Sequence, residues 1–394
     1  MCNNMTMAKT VPHTRTSPKR ERIVSLHVNT EPTWRGGEQQ TLYLLEGLEK
    51  RGHPVTLCVQ RDAPLVERAR DAGIDVLPMR MRGEADPVAM ARLAGVIRKR
   101  RPEIVHCHTS HAHTLVAAAA RLVSRRMRPR ILLSRRVDFS IYRHSFIGLN
   151  GFKYRLVDQI VAISERIRDV LLEDGLDASR IEVVHSGIDP TRFSVARPCD
   201  LRAEFGFPDT TQVIVNVAYF ADHKGQRFLV EAAPKILRAC PETALLLVGD
   251  GELRPALQAL AAELGVAERV LFPGFRRDVP EILLGADLYA MPSLLEGLGT
   301  SVLDALVCGL PVVAARAGGI PEMIHHGENG LLVPPKDADA LAEALIRLLK
   351  DPAECERFAR AGPETVAERY TVDHMVEGNL RVYERLLAER RTRA

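Results

Sequence analysis

Short apolar runs alternate with longer amphipathic stretches along this chain, and the whole alternation occurs twice. In the first half, strands are expected near 23–28, 55–59, 75–78, 104–105, 131–133, 160–163 and 181–184. In the second half they are expected near 213–217, 244–248, 270–272, 288–291, 311–315 and 331–333. Helical patterns such as 38–51 and 164–173 fall between them. Strands separated by helices pair in parallel, because a parallel connection needs a long crossover that covers the sheet. The pattern therefore predicts an α/β chain of two doubly wound, Rossmann-like domains facing across a cleft. A length of 394 residues, too great for one ordinary core, agrees with that. The expected organisation is a disordered leader over 1–20, a first domain over 21–195 and a second over 196–371. The last helical pattern, in 372–394, has no strand partner and is expected to pack back across the structure. The segment 194–208, with Pro198 and Pro208, is the best linker candidate.

Hydrophobic content of 46% and charged content of 26% are those of a soluble globular protein. The formal net charge of +4 hides an asymmetry. Residues 1–195 hold 32 Lys+Arg against 21 Asp+Glu, or +11, and residues 196–394 hold 22 against 29, or −7. Much of the excess lies in Arg98-Lys99-Arg100-Arg101 and in Arg121, Arg125, Arg126, Arg128 and Arg130. A face of this kind is either simply solvated or meets something anionic. Seven scattered cysteines without a Cys-x-x-Cys pair argue for reduced thiols in the cytosol, not a disulfide or zinc framework. No apolar run approaches the roughly 20 residues of a membrane span. The first twenty residues lack the apolar centre of a secretory signal.

One stretch carries the clearest chemistry: Pro292-Ser293-Leu294-Leu295-Glu296-Gly297-Leu298-Gly299-Thr300-Ser301-Val302-Leu303-Asp304. It joins an apolar strand to a helix. Gly297 and Gly299 let a ligand approach the backbone, and free amides at Thr300 and Ser301 offer a seat for phosphate. Glu296 stands before that seat and Asp304 follows one turn after Thr300. Amides for phosphate and carboxylates for hydroxyls suit a sugar nucleotide. A second glycine turn, Arg35-Gly36-Gly37-Glu38, follows the first strand and opens the first helix. His106, His108, His111 and His113 follow the fourth strand, but their alternate spacing does not converge on one ion, so no metal is expected. The pair Asp337 and Asp339 opens an alanine-rich helix and reads as a cap.

Taken together these stretches resemble the family 4 retaining glycosyltransferases of GT-B fold, with Glu296 and Asp304 in the Glu-x7-Glu motif and Asp in the second place. The resemblance runs from Gly36 to the final helix. It implies an acceptor-side first domain and a nucleotide-sugar donor domain after it. It implies that Gly36 and Gly37 close on the donor phosphates and sugar, and that Glu296 contacts the transferred sugar. Asp304 would hold the ribose, Gly249 would border the donor, and the turn at Gly274 would meet the base. Lys224-Gly225 matches the family's phosphate clamp, but Tyr219 stands where a second cation, an arginine, is expected. His108 and His111 would line the cleft, with His106 packed under the turn. Many members carry a histidine in the loop 134–138, where this chain has Arg135 and Arg136, read as binding an acidic acceptor or a donor phosphate. The implied activity is retaining, metal-independent sugar transfer from a nucleotide diphosphate sugar, most simply UDP-linked, without a bound cofactor. The expected acceptor is an anionic glycolipid or glycan, such as lipopolysaccharide core, met in the cytoplasm at the inner membrane face; no nucleic-acid partner is expected. A sugar-nucleotide epimerase, a phosphorylase and a non-catalytic sugar-nucleotide binding subunit are the alternatives.

Overall fold

The computed structural model describes residues 21–142 and 153–392, and the expected leader over 1–20 lies outside them. Two all-parallel sheets form, as the alternation requires. The first contains seven strands in the order β3-β2-β1-β4-β5-β6-β7. These are β1 (Ser25–Asn29), β2 (Val55–Gln60), β3 (Asp75–Met79), β4 (Ile104–Cys107), β5 (Arg130–Arg135), β6 (Gln159–Ala162) and β7 (Ile181–Val183). The second contains six in the order β10-β9-β8-β11-β12-β13. These are β8 (Gln212–Val217), β9 (Thr243–Val248), β10 (Val270–Gly274), β11 (Leu288–Met291), β12 (Val312–Ala315) and β13 (Leu331–Val333). Every pairing is parallel, in straight register as in Ser25↔Val55 to Asn29↔Val59, except that β9–β10 shifts register between Leu271 and Gly274. The strands β1, β4, β9, β11 and β12 are buried along their whole length, which explains the near-continuous apolar runs of β9, β11 and β12, whereas β1 buries Ser25, His27 and Asn29 as well.

In each sheet the strand order reverses once, between β1 and β4 in the first and between β8 and β11 in the second. The chain leaves those two neighbours in opposite directions, which opens a crevice beyond their carboxyl ends. The Gly36-Gly37 turn leaves β1, the loop 218–225 leaves β8, and the Glu296 loop leaves β11. The fold therefore delivers these segments to the cleft between the sheets.

The connection between the sheets contains two short helices, Thr191–Ser194 and Leu201–Phe205. The final helix, Val372–Thr392, returns to the first sheet. Its Met375, Val376, Leu380, Tyr383, Leu386 and Leu387 share one apolar cluster with Leu42, Leu45, Leu48, Val55 and Leu57. Each such side chain taken from water contributes ~1.5–3 kcal/mol before chain entropy is counted. Gly47 lets this helix come close: a Cβ there would lie 2.3 Å from Val376 Cγ2. Asp337 caps the helix Ala338–Lys350 by accepting from Ala340 N at 2.8 Å.

Candidate active site in the interdomain cleft

A cavity of about 730 Å³ lies between the two sheets, lined from both sides. On the first-domain side the helix Gly36–Lys50 begins at the glycine turn, which Glu38 fixes by accepting from Arg35 N at 3.1 Å and Asn29 Nδ2 at 3.3 Å. On the other side the helix Thr300–Val307 begins after Gly299, whose φ of 97° ends the loop in a left-handed residue. A Cβ on Gly36 would lie only 3.4 Å from Thr300 Oγ1. Two helix N-termini, one from each domain, thus meet in the cleft with their positive dipole ends and free amides.

The Glu296 side chain, only 7% exposed, accepts from Lys224 Nζ at 2.6 Å and from Ser293 Oγ at 2.9 Å. Lys224 closes a short 3₁₀ turn, Asp222–Lys224, and is held against the Glu296 loop by two backbone bonds, Leu294 N and Leu295 N to His223 O (2.8 and 3.2 Å). Gly225 permits that approach, since its φ is 65° and a Cβ there would sit 2.2 Å from Pro292 O. Across the cleft Asp138 Oδ2 accepts from Glu296 N at 3.2 Å, tying the 134–138 loop to the motif. Burial raises the Asp138 carboxyl above its ordinary range, and Glu296 adds to that. Burial and Lys224 push His223 down. A further seam between the domains is Glu322, whose carboxylate caps the helix Glu165–Glu173 through Glu165 N and Arg166 N (2.9 and 3.0 Å) and meets His185 Nε2 at 2.8 Å.

Residues 34–192 match the family described as Glycosyltransferase Family 4, and residues 200–365 match Glycosyl transferases group 1. The boundary between the two matches falls between the two sheets. This chain is a family 4 glycosyltransferase. It is similar over 363 residues, at 26% identity, to an uncharacterized glycosyltransferase, MJ1607, of Methanocaldococcus jannaschii, covering 86% of this chain and 92% of that one. Over 208 residues it is 37% identical to a GDP-mannose-dependent monoacylated alpha-(1-6)-phosphatidylinositol monomannoside mannosyltransferase of Corynebacterium glutamicum, covering 50% of this chain and 54% of that protein. The solved structure of Anabaena HepE in complex with UDP and glucose shares the fold, with a TM-score of 0.79 at 22% identity over 93% of this chain and all of that one. The glycosyltransferase is thus of GT-B type and moves sugar from a nucleotide sugar.

Of the residues the sequence singles out, the glycosyltransferase brings Gly36, Gly37, Arg136, Tyr219, Lys224, Gly249, Glu296, Gly297, Gly299, Thr300 and Ser301 to the cavity wall. Others lie elsewhere. His108 is 4% exposed and packs against His27 and His106, with ring centroids 5.2 and 4.5 Å away. His111 sits at the surface, 3.7 Å from Glu84. Neither lines the cleft: β4 ends behind the wall, and the helix Ser110–Arg121 carries His111 outward. Arg135 is also an inward residue, donating to Tyr154 Oη at 3.1 Å and Phe139 O at 2.5 Å. Gly274 stands back from the wall, accepting from Gly249 N at 2.9 Å, while the adjacent Phe275 and Arg276 line it. Asp304 lies one turn behind Thr300, outside the wall, where burial raises its carboxyl to about 7 against the opposing field of Arg192.

The nitrogens of His27, His106 and His108 come within 4.8 Å of one another. The His108 ring is tilted by 14° and 24° from those of His27 and His106, which are tilted by 37° from each other. Most of the nitrogens are used otherwise: His27 bonds Ser25 Oγ (3.0 Å) and His108 Nε2 (2.9 Å), and His106 bonds Tyr383 Oη (2.7 Å) and Ser134 Oγ (2.8 Å), while His108 Nδ1 is buried without a partner. Trp34, Gln40, Ser186 and Arg276 line the cavity without having been singled out. The chain's only tryptophan, one residue away from a glycine pair, was a readable signal. Gln40 was readable as a polar residue one turn into that helix; Ser186 and Arg276 carried no such mark.

Proposed function

We propose that this enzyme transfers a sugar with retention from a UDP-linked donor to an anionic glycolipid or envelope glycan, such as lipopolysaccharide core, and needs no metal. The observation that carries this reading is the meeting of two helix N-termini beside the Lys224–Glu296 pair, 2.6 Å apart. Incoming diphosphate competes for Lys224 and for the amides at Gly36, Gly37, Thr300 and Ser301. Glu296, released from its lysine, accepts hydrogen bonds from the sugar hydroxyls and sets the ring's orientation. The bond from the anomeric carbon to the phosphate oxygen breaks, and its electron pair stays with the diphosphate. The acceptor oxygen bonds the same face of that carbon, and its proton passes to a phosphate oxygen. The fixed amides and Lys224 stabilise the charge that develops. The loops at Gly249 and Gly274 border the base, Tyr219 offers a phenol to a phosphate, and Asp304 reaches the ribose only through an intervening group.

The acceptor class is supported by the first half's charge of +11 and by a concavity of about 440 Å³ lined by Arg121, Arg125, Arg128, Arg130 and Arg390. Its polyanion-binding face suits the cytosolic surface of an anionic membrane. No helix among the described residues is long and apolar enough to cross a membrane. The relative from Corynebacterium glutamicum is named for a phosphatidylinositol mannoside acceptor, an anionic glycolipid. That relative is also named for GDP-mannose, so a test of the donor includes both bases. Thermal stabilisation by UDP, GDP, ADP and their sugars should pick out UDP, with sugar selectivity lost in Glu296→Ala. Stabilisation by GDP alone rejects the UDP assignment, and stabilisation by none rejects the donor site as drawn.

A further inference from the structure

The cavity is ringed by Arg35, Arg136, His223, Lys224 and Arg276, and four of these five are already engaged or neutral. Lys224 is paired with Glu296 at 2.6 Å. Arg276 is locked by Asp278, through Nε at 2.8 Å, and by Glu204. Arg35 lies at the exposed mouth with its guanidinium 5.4 Å from the centre of the Tyr219 ring. His223 is held neutral by burial and by its lysine neighbour.

Arg136 differs. Among the described residues its guanidinium has no ion pair, and its Nε is buried without a hydrogen-bond partner. Burial lowers its pKa only to about 10, with Glu38 opposing the shift, so it keeps its charge at neutral pH. A buried polar group left without a partner is costly, and an unpaired charge more so. Its place explains what would repay that cost. A Cβ on Gly37 would lie 3.5 Å from Arg136 Cδ, and a Cβ on Gly297 would lie 2.3 Å from Arg136 O. The residue therefore sits in the seam between the two glycine turns, where both helix N-termini already favour an anion.

We propose that Arg136 binds the terminal phosphate of the donor's diphosphate, supplying from the first domain the second cation that Tyr219 fails to supply from the other. The inference rests on the nucleotide-sugar reading above. Lys224 and Arg136 then grip the diphosphate from opposite domains, so the grip is complete only when the cleft is closed. Breaking the sugar–phosphate bond adds one negative charge to the leaving group, and a fixed guanidinium answers that charge more strongly than the substrate's.

The test is calorimetric binding of UDP and UMP, with GDP and GMP alongside, to the full chain and to Arg136→Gln and Arg136→Lys. The expected result is a loss of about tenfold or more in diphosphate affinity for Arg136→Gln. Monophosphate affinity should stay within about twofold, and Arg136→Lys, which keeps the charge without the planar fork, should lose less diphosphate affinity than Arg136→Gln. Equal losses for both nucleotides, or no loss for either, overturn the assignment of Arg136 while leaving the donor site standing. A wild-type protein that binds no nucleotide overturns both. If Arg136→Gln does not fold, a structure of the wild-type protein with UDP decides: guanidinium contact with the terminal phosphate supports the inference, and a guanidinium turned away rejects it.

Discussion

The two halves of this enzyme use their strand ends in opposite ways. At the switch point of the first sheet, β4 carries His106 and leads to His108; at that of the second, β11 leads to Ser293 and Glu296. The topology is equivalent, yet the histidines face inward and the glutamate faces the cleft. His106 lies on the strand itself, bonded to Tyr383 of the last helix and to Ser134 of β5, and His108 comes directly after it, packed against His106 and bonded to His27. Glu296 lies five residues beyond its strand, on a loop held from below by His223 and Gly225. A switch point thus provides a crevice, but the distance beyond the strand decides whether a side chain reaches it.

The sharpest way to break this contrast is to compare alanine variants from the two ends. Glu296→Ala should lower turnover by about 100-fold, the size of a lost transition-state contact, with little change in melting. His108→Ala should do the reverse. It leaves His27 without its partner at 2.9 Å, costing ~1–3 kcal/mol of stability, while turnover per folded molecule stays within about threefold. Turnover and melting temperature measured on both variants decide it; a stable, inactive His108→Ala would return that histidine to the active site. His111→Ala, on an exposed side chain, should change stability by no more than ~0.5 kcal/mol and leave turnover intact.

Acid should also separate the halves. Burial lowers His27 and His113 to about 3, and holds His106 and His108 well below 6.5. In the unfolded chain these groups take up protons near 6.5, so their contribution is present above that pH and is lost as pH falls towards 3. Each can weaken the fold by up to ~1.4 kcal/mol per pH unit in that window. Asp304 acts with the opposite sign: raised from 3.8 to about 7, it favours the fold at low pH and loses that contribution as pH rises through 7. Denaturant unfolding between pH 7.5 and 5 should show falling stability, with a steeper fall in Asp304→Asn because the opposing contribution is gone. A pH-independent midpoint in the wild type would mean that the histidines are not buried as neutral groups.

The smallest effect concerns the surface. Arg125→Glu combined with Arg128→Glu should weaken binding to phosphatidylglycerol vesicles several-fold and flatten its salt dependence, since each basic group near an anionic surface contributes only ~1 kcal/mol. Turnover on a soluble acceptor should not change. Salt-insensitive binding in the wild type would count against a membrane-facing role for the arginine-lined concavity.

The amino-acid sequence by itself determined the alternation of strands and helices, and with it the two parallel sheets, because local apolar patterning is what selects a strand buried on both faces. It also marked the Glu296 and Gly36-Gly37 segments, since each places glycines between a strand and the start of a helix, where free amides and a close approach of backbone are available. Only the tertiary structure decided which charged neighbours face the cleft. Arg135 and Arg136 are adjacent in sequence, and one donates inward to Tyr154 while the other lines the cavity. His108 is likewise hidden and Asp138 drawn to Glu296 by contacts with residues tens to hundreds of positions away. Side-chain direction at a strand end depends on what packs against it, and those partners, from the last helix and from the opposite domain, carry no mark in the local sequence.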